Sequence, residues 1–205
     1  MTKRKRKLRK KALFCIILLI ICIILYIIIF HSSAVVSIIK KIETTSKFDY
    51  TLEKRDTSIM KENFKELDKI LSEETINYEK YAQVLSKLFI IDLYTIDNKK
   101  NMYDVGSLEY VYDKENFKIN VQNTIYKYIE DESNRKSGTL PIVKSINIDE
   151  KSMGTFDYNS NTYDSYIINL SWTYEEDLGY DNKGKVEIIK IEDKLYVVSF
   201  TPEGE

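Results

Sequence analysis

The residues best suited to chemistry in this chain are Asp92, Tyr94 and Asp97, which lie at the end of a predicted helix. An aspartate and a tyrosine that face one cavity can polarise a carbonyl group. These three are therefore the candidate ligand-binding residues. The preferred alternative treats Asp92 and Asp97 as solvated acids at a helix end, which carry no site.

Other catalytic constellations are missing from the sequence. It has no glycine-rich phosphate loop, no His-Glu metal helix and no Gly-x-Ser-x-Gly elbow. Both cysteines, Cys15 and Cys22, and the one histidine, His31, precede residue 41. The rest of the chain therefore lacks a thiol, a disulfide and the commonest general base near pH 7. We predict a protein that is not an enzyme, with no catalytic residue and no cofactor.

Acidic clusters offer the best oxygen ligands for a metal ion. Asp149-Glu150, Glu175-Glu176-Asp177 and Asp181 could suit Ca²⁺, but they lack the regular spacing and central glycine of a calcium loop. We interpret them as solvated turns and predict no metal site.

Tyrosine is unusually common, and 15 of the 16 tyrosines follow residue 41. Aromatic rings with a polar tip suit contact surfaces for protein or glycan. Most of these rings fall on apolar stripes and are assigned to the core. The candidates for an exposed interaction surface are Tyr103, Tyr110, Tyr112, Tyr158 and Tyr163.

The N-terminal elements predict a membrane anchor. Residues 12–30 are an uncharged apolar run, and a helix of that length, at about 1.5 Å per residue, nearly spans the ~30 Å core of a bilayer. We predict a transmembrane helix at 12–30, and an alternative boundary extends the same helix to residue 39. A cleaved signal peptide is the alternative. Residues 1–11 form a basic tail with eight positive charges, which are Lys3, Arg4, Lys5, Arg6, Lys7, Arg9, Lys10 and Lys11.

Charge distribution sets the predicted orientation. Basic residues near a span stay on the cytoplasmic side, so we predict a cytoplasmic N-terminus and an extracytoplasmic domain in the cell membrane. The first 41 residues hold ten of the 31 Lys and Arg and none of the 32 Asp and Glu, which leaves about −11 on the rest. Such an acidic surface repels nucleic acid, and we therefore exclude nucleic acid as a partner.

The part of the chain that follows the membrane anchor is predicted to form one α+β domain. We predict a juxtamembrane segment at 31–56, a domain at 57–201 and a tail at 202–205, with Trp172 buried where a strand meets a helix. Helical periodicity places three helices before an antiparallel sheet. The expected helices are 57–73, 77–95 and 114–131, and the expected strands are 142–148, 153–158, 167–174, 186–191 and 195–201.

A short basic tail, one span, a few helices and a terminal antiparallel sheet resemble the nuclear transport factor 2-like superfamily of cone-shaped α+β proteins. The layout is also similar to the bitopic inner-membrane components of conjugative type IV secretion systems. The resemblance covers most of the chain by order and length, and no motif carries functional residues over. It implies a curved sheet and assembly through protein contacts.

The sequence is compatible with two functions. The first is a non-enzymatic, membrane-tethered interaction domain whose partners are the bilayer, other envelope proteins and copies of itself. The second is a small-ligand receptor or enzyme that uses the cavity of the cone. An interaction domain should show an exposed apolar or aromatic patch, whereas a pocket protein should show a deep cavity with convergent polar groups. The bias toward Ile, Lys, Asn, Asp and Tyr is typical of AT-rich genomes and indicates a low-GC Gram-positive source.

Overall fold

A computed structural model describes Leu19, residues 41–136, residue 138 and residues 140–203. Apart from Leu19, the predicted tail at 1–11, the span at 12–30 and its extension to 39 lie outside the described residues. Among the residues that are described, no helix has the length and apolar character needed to cross a membrane. From Lys41 onward the described residues belong to one compact unit.

The domain is α+β, with three helices packed on a four-stranded antiparallel sheet in which consecutive strands are neighbours, as the sequence predicts. A separate two-stranded hairpin precedes the helices. The elements in chain order are β1 Lys41–Thr44, β2 Thr51–Glu53, α1 Ser58–Ser72, α2 Tyr78–Tyr94, α3 Lys114–Asn123, β3 Val143–Tyr158, β4 Asn161–Tyr174, β5 Lys183–Ile191 and β6 Lys194–Pro202.

The first two helices agree with the predicted spans. The Thr57 hydroxyl caps α1 by accepting from the Met60 amide at 3.4 Å, and the Asn77 side chain caps α2 by accepting from the Lys80 amide at 3.0 Å. In α1 one stripe is buried, as expected of an amphipathic helix. In contrast, α2 is buried over most of its circumference and forms the centre of the core.

The third helix is shorter than predicted, because it ends at Asn123 rather than near residue 131. After Thr124 the chain turns, and the Tyr126 amide donates to the Val121 carbonyl at 2.9 Å. The turn buries Tyr126 and leaves Tyr128, which lies within the predicted helix at 114–131, 83% exposed. Asparagine and threonine near this end compete with helical hydrogen bonds, and burial of the Tyr126 ring favours the turn.

The sheet is a meander of long strands. The two predicted strands at 142–148 and 153–158 are one continuous strand, β3, whose register shifts between Ile148 and Glu150. A two-residue turn at Asn159-Ser160 joins it to β4, and both turn residues have positive φ, 50° and 64°. That conformation matches the twist of a hairpin and suits asparagine.

The hairpin of β1 and β2 lies within the predicted juxtamembrane segment at 31–56, so the compact unit begins before residue 57. Tyr50 and Leu52 are almost fully buried. The Tyr50 hydroxyl lies 2.5 Å from the Tyr81 hydroxyl of α2 and donates to the Leu195 carbonyl at 3.2 Å. The hairpin is thereby fastened to both the helical layer and the sheet.

The prediction for Trp172 is confirmed. Its side chain on β4 is 2% exposed, and its ring centroid lies 5.0 Å from that of Tyr94 on α2. The indole nitrogen donates to the Tyr174 hydroxyl at 2.8 Å, so the ring's one polar group is satisfied inside the core.

Candidate interaction groove

A cleft with a mostly apolar lining, named here the α3 groove, lies between α3 and the strand β6. Its volume is about 590 Å³. The β3–β4 hairpin contributes Phe156 and Tyr158 to its lining. Most of the lining is apolar, and it includes Val111, Phe117, Val121, Val197, Val198 and Phe200.

The groove exists because α3 is only loosely packed. Of its ten residues only Val121 is buried, and Ile119 is 54% exposed. The Phe117 ring anchors the helix by packing against Phe89 of α2 at 5.6 Å between centroids. One anchoring ring and one buried valine fix the helix beside the sheet without closing the space between them.

The other wall is β6, whose edge is covered by the segment that leads into α3. The Tyr112 amide donates to the Val197 carbonyl at 3.1 Å, and the Val197 amide donates to the Tyr110 carbonyl at 2.8 Å. These two bonds form a short parallel bridge between Val111 and Val197. The bridge sets the start of α3 against the sheet and so defines the groove.

Most polar side chains along the groove are already bound within the domain. Asp113 caps α3 and also accepts from the Asn116 side chain at 2.6 Å. The Thr124 hydroxyl donates to the Asn120 carbonyl at 2.8 Å, and Asp181 accepts from the Tyr94 hydroxyl at 3.0 Å. Four of the six polar side chains that line the groove are therefore engaged in hydrogen bonds within the domain, namely Asp113, Asn116, Thr124 and Asp181.

An aromatic cluster adjoins the groove at Tyr112, Tyr158 and Tyr196. Tyr112 is 38% exposed and meets the other two rings edge to face, at 5.2 and 5.4 Å between centroids. This geometry is a favourable one for aromatic pairs. The cluster extends the apolar lining of the groove onto the surface.

The predicted interaction tyrosines are thus divided among different environments. Tyr112 and Tyr158 meet beside the groove, Tyr103 is 69% exposed in the loop after α2, and Tyr163 is half-buried on β4. Tyr110, expected to be exposed, is fully buried. Its ring stacks on that of Tyr50 at 5.5 Å, a contact made by the unforeseen β1–β2 hairpin.

The three candidate ligand-binding residues do not share a cavity. Tyr94 is fully buried, and burial raises the pKa of its hydroxyl, with a further contribution from Asp181. Asp97 is exposed on the surface. Asp92 points to another part of the domain, where it pairs with Lys99 at 2.5 Å.

Asp92 belongs to a buried charge cluster under the loop after α2. The Lys99 side chain is 1% exposed, and the second oxygen of Asp92 accepts from the Ser107 amide. A Cβ at Gly106 would lie 2.5 Å from the Asp92 carbonyl oxygen, so only glycine permits this approach. The cluster holds the loop against α2, which is a structural role for Asp92.

Two further acids with raised pKa values contact the β1–β2 hairpin, one from the loop before α3 and one directly after β2. The Glu109 carboxylate accepts from the Thr51 amide and hydroxyl at 3.1 and 3.0 Å, and burial raises its pKa to about 7. Asp56 accepts from the Glu53 amide at 2.7 Å, and burial raises its pKa to about 6. Sequence spacing does not indicate the contact between Glu109 and Thr51, because these residues lie 58 positions apart in segments that look solvated.

The acidic clusters considered as Ca²⁺ ligands make hydrogen bonds within the domain, and Asp149-Glu150 lies on β3 and not in the predicted turn. Asp149 accepts from the Ser171 hydroxyl at 2.8 Å, and Asp177 accepts from the Gly179 amide at 3.1 Å. Within the part of the chain that the structure describes, no three Asp, Glu, His or Cys side chains are arranged to hold a metal ion.

Comparisons with known protein families, with curated proteins and with solved structures find no match to this chain.

Proposed function

We propose that this chain is a non-enzymatic, single-pass membrane-anchored protein that presents a protein-interaction domain outside the cell membrane. The observation that carries the proposal is the α3 groove, an apolar channel continued onto the surface by the cluster of Tyr112, Tyr158 and Tyr196. Aromatic and apolar surfaces of this kind are typical of sites that bind other proteins.

The polar groups of the groove favour a protein segment over a reacting substrate. Asp113, Thr124 and Asp181 already satisfy neighbouring donors and acceptors of the domain. Catalysis needs groups that are free to exchange protons with a substrate. An extended or helical segment, in contrast, gains most of its affinity from apolar anchors.

The charge of the groove specifies the partner further. Asp113 and Asp181 are the charged residues that line it, and the chain after residue 41 carries about −11. Each carboxylate retains acceptor sites beyond the bonds it makes within the domain. We therefore propose an apolar segment that also bears lysine or arginine, so that its cations approach these carboxylates.

The proposed setting is an envelope assembly, with a conjugative secretion system as the specific case. The order of the elements supports this setting: a basic tail, an apolar run, helices and a terminal antiparallel sheet. The same order supports the proposal of a nuclear transport factor 2-like fold. The resemblance to secretion components implies assembly by contacts between proteins. Fold alone does not select a function, so the groove carries the argument.

The competing proposal is a small-ligand receptor. One observation favours it: the volume of the α3 groove, about 590 Å³, falls within the usual range for small-molecule sites. The two proposals differ in what the groove retains during purification, which is a polypeptide segment in one and a metabolite in the other.

Membrane topology gives a first prediction. Protease added to intact protoplasts should digest the domain and leave an N-terminal epitope tag intact, since the eight basic residues hold the tail inside. The tag should become sensitive once the protoplasts are lysed. A protected domain together with a cleaved tag would show the opposite orientation.

Obstruction of the groove gives a second prediction. Asn120→Trp places an indole into the groove from an exposed helix position, so it should reduce recovery of the cross-linked protein partner from native membranes at least tenfold. Asn123→Trp is the matched control, because it makes the same change on α3 outside the lining. Equal recovery with both variants would count against the groove as the binding site.

A further inference from the structure

The free edge of the sheet lies along β3. At the opposite edge, Val197 of β6 forms a short parallel bridge to Val111. β3 pairs with β4 on one side, and no described strand pairs with it on the other. An open strand edge presents unpaired amide and carbonyl groups, which makes it a template for another strand.

Only the outer half of this edge is suited to pairing. The register shift between Ile148 and Glu150 distorts the middle of β3, as bulges do where proteins protect an edge. From Glu150 to Tyr158 the pairing with β4 is continuous and contains no bulge. This outer segment has no proline, and Met153 is 60% exposed in its middle.

We propose that the outer segment, residues 150–158, pairs antiparallel with the same segment of a second copy of this chain. The two-fold axis would pass beside Gly154, which presents no side chain. Antiparallel partners carry side chains on the same face, so residues whose numbers add to 308 lie opposite each other. Nine residues at about 3.4 Å each give a shared edge of roughly 30 Å.

Charge complementarity selects this register. Lys151 lies opposite Asp157 of the second copy, and the symmetry repeats the pair. No other symmetric register of this segment brings these two residues together. Glu150, the other charged residue of the segment, lies opposite Tyr158, so no like charges face each other.

Both side chains are available on the surface. The Lys151 ammonium contacts Glu79 at 2.5 Å, where both side chains are about half exposed, and it has further donors. Asp157 accepts from the Thr162 hydroxyl at 2.5 Å and keeps acceptor sites. The second copy therefore gains two ion pairs without breaking these contacts.

Disulfide trapping tests the register. In the full chain with Cys15 and Cys22 changed to Ala, Met153→Cys in one copy and Thr155→Cys in the other would lie directly opposite, within disulfide range. Coexpressed in membranes, this pair should form a mixed disulfide far more efficiently than Met153→Cys or Thr155→Cys alone. Disulfide yields that do not distinguish the mixed pair from the single variants would overturn the proposed register.

Charge exchange tests the contact independently. Lys151→Glu or Asp157→Lys alone should weaken the dimer about tenfold, because each replaces two ion pairs with two repulsive ones. The double variant Lys151→Glu, Asp157→Lys should restore dimerisation. Asp164→Lys, on the neighbouring strand β4, is the control with the same change of charge and should have no such effect.

The failures of the two proposals can be told apart. Asn120→Trp should leave the dimer intact, and Lys151→Glu, which lies outside the groove lining that Phe156 and Tyr158 belong to, should leave the groove intact. Trp172 fluorescence reports whether each variant is folded, since that ring is buried. A folded chain that is monomeric at every concentration, a double variant that restores nothing, or a disulfide to a different protein would each overturn pairing along β3.

Discussion

Lys99→Met is expected to lower the free energy of unfolding by about 3–5 kcal/mol, the usual cost of removing one partner of a buried ion pair. The Lys99 ammonium lies 2.5 Å from Asp92, and its side chain is 1% exposed. Methionine has a similar length but no charge, so the Asp92 carboxylate would lose its buried counterion. Urea denaturation followed by Trp172 fluorescence measures the change.

Two controls separate the ion pair from general effects of the substitution. Lys144→Met makes the same change at an exposed position of β3 and should stay within about 0.5 kcal/mol of the parent. The double variant Asp92→Asn, Lys99→Met removes both charges and should be more stable than Lys99→Met alone. A Lys99→Met protein as stable as the Lys144→Met control would contradict the role assigned to this pair.

The second large effect is a change in pH dependence with Glu109→Gln. Burial raises the pKa of Glu109 from its ordinary 4.5 to about 7, so the folded domain keeps a proton that the unfolded chain releases. The folded state binds more protons between these values, and its stability therefore falls as pH rises from about 4.5 through 7. Over that window the loss attributable to Glu109 is about 3 kcal/mol.

Glutamine stays neutral and keeps an oxygen that can accept from Thr51. The variant should therefore match the parent near pH 4.5 and exceed its stability by about 2–3 kcal/mol at pH 8. Asp56, whose pKa is also raised, remains in both proteins, so its effect cancels in the comparison. Glu115→Gln on the exposed start of α3 is the control. Parallel curves for the parent and Glu109→Gln from pH 4.5 to 8 would contradict a raised pKa at Glu109.

Local signals in the sequence were sufficient for much of the fold. The first two helices carry apolar residues at helical spacing and begin at Thr57 and Asn77, which are good capping residues. Alternation around Trp172 identified β4 as a half-buried strand. These features depend on residues close together in the chain, so periodicity captures them.

The missed features depend on partners far apart in the chain. Tyr50 is buried through contacts with Tyr81 and Leu195, which its short polar neighbourhood did not indicate. The sequence around Lys99 is typical of an exposed loop lysine, and only the folded structure places Asp92 beside it. The α3 groove likewise arises because a helix ends early at Asn123 and packs incompletely, a property of tertiary packing that no motif records.

The most direct test of the proposed interaction domain is site-specific photocross-linking from the α3 groove. A benzophenone amino acid at Asn116 would face the groove, and one at Asn123 would lie outside its lining. In native membranes, the Asn116 probe should give an adduct with an apolar, basic segment of another polypeptide, and the Asn123 probe should give little. Adducts with no polypeptide at either position, together with a specific metabolite that co-purifies with the domain, would contradict the proposed function.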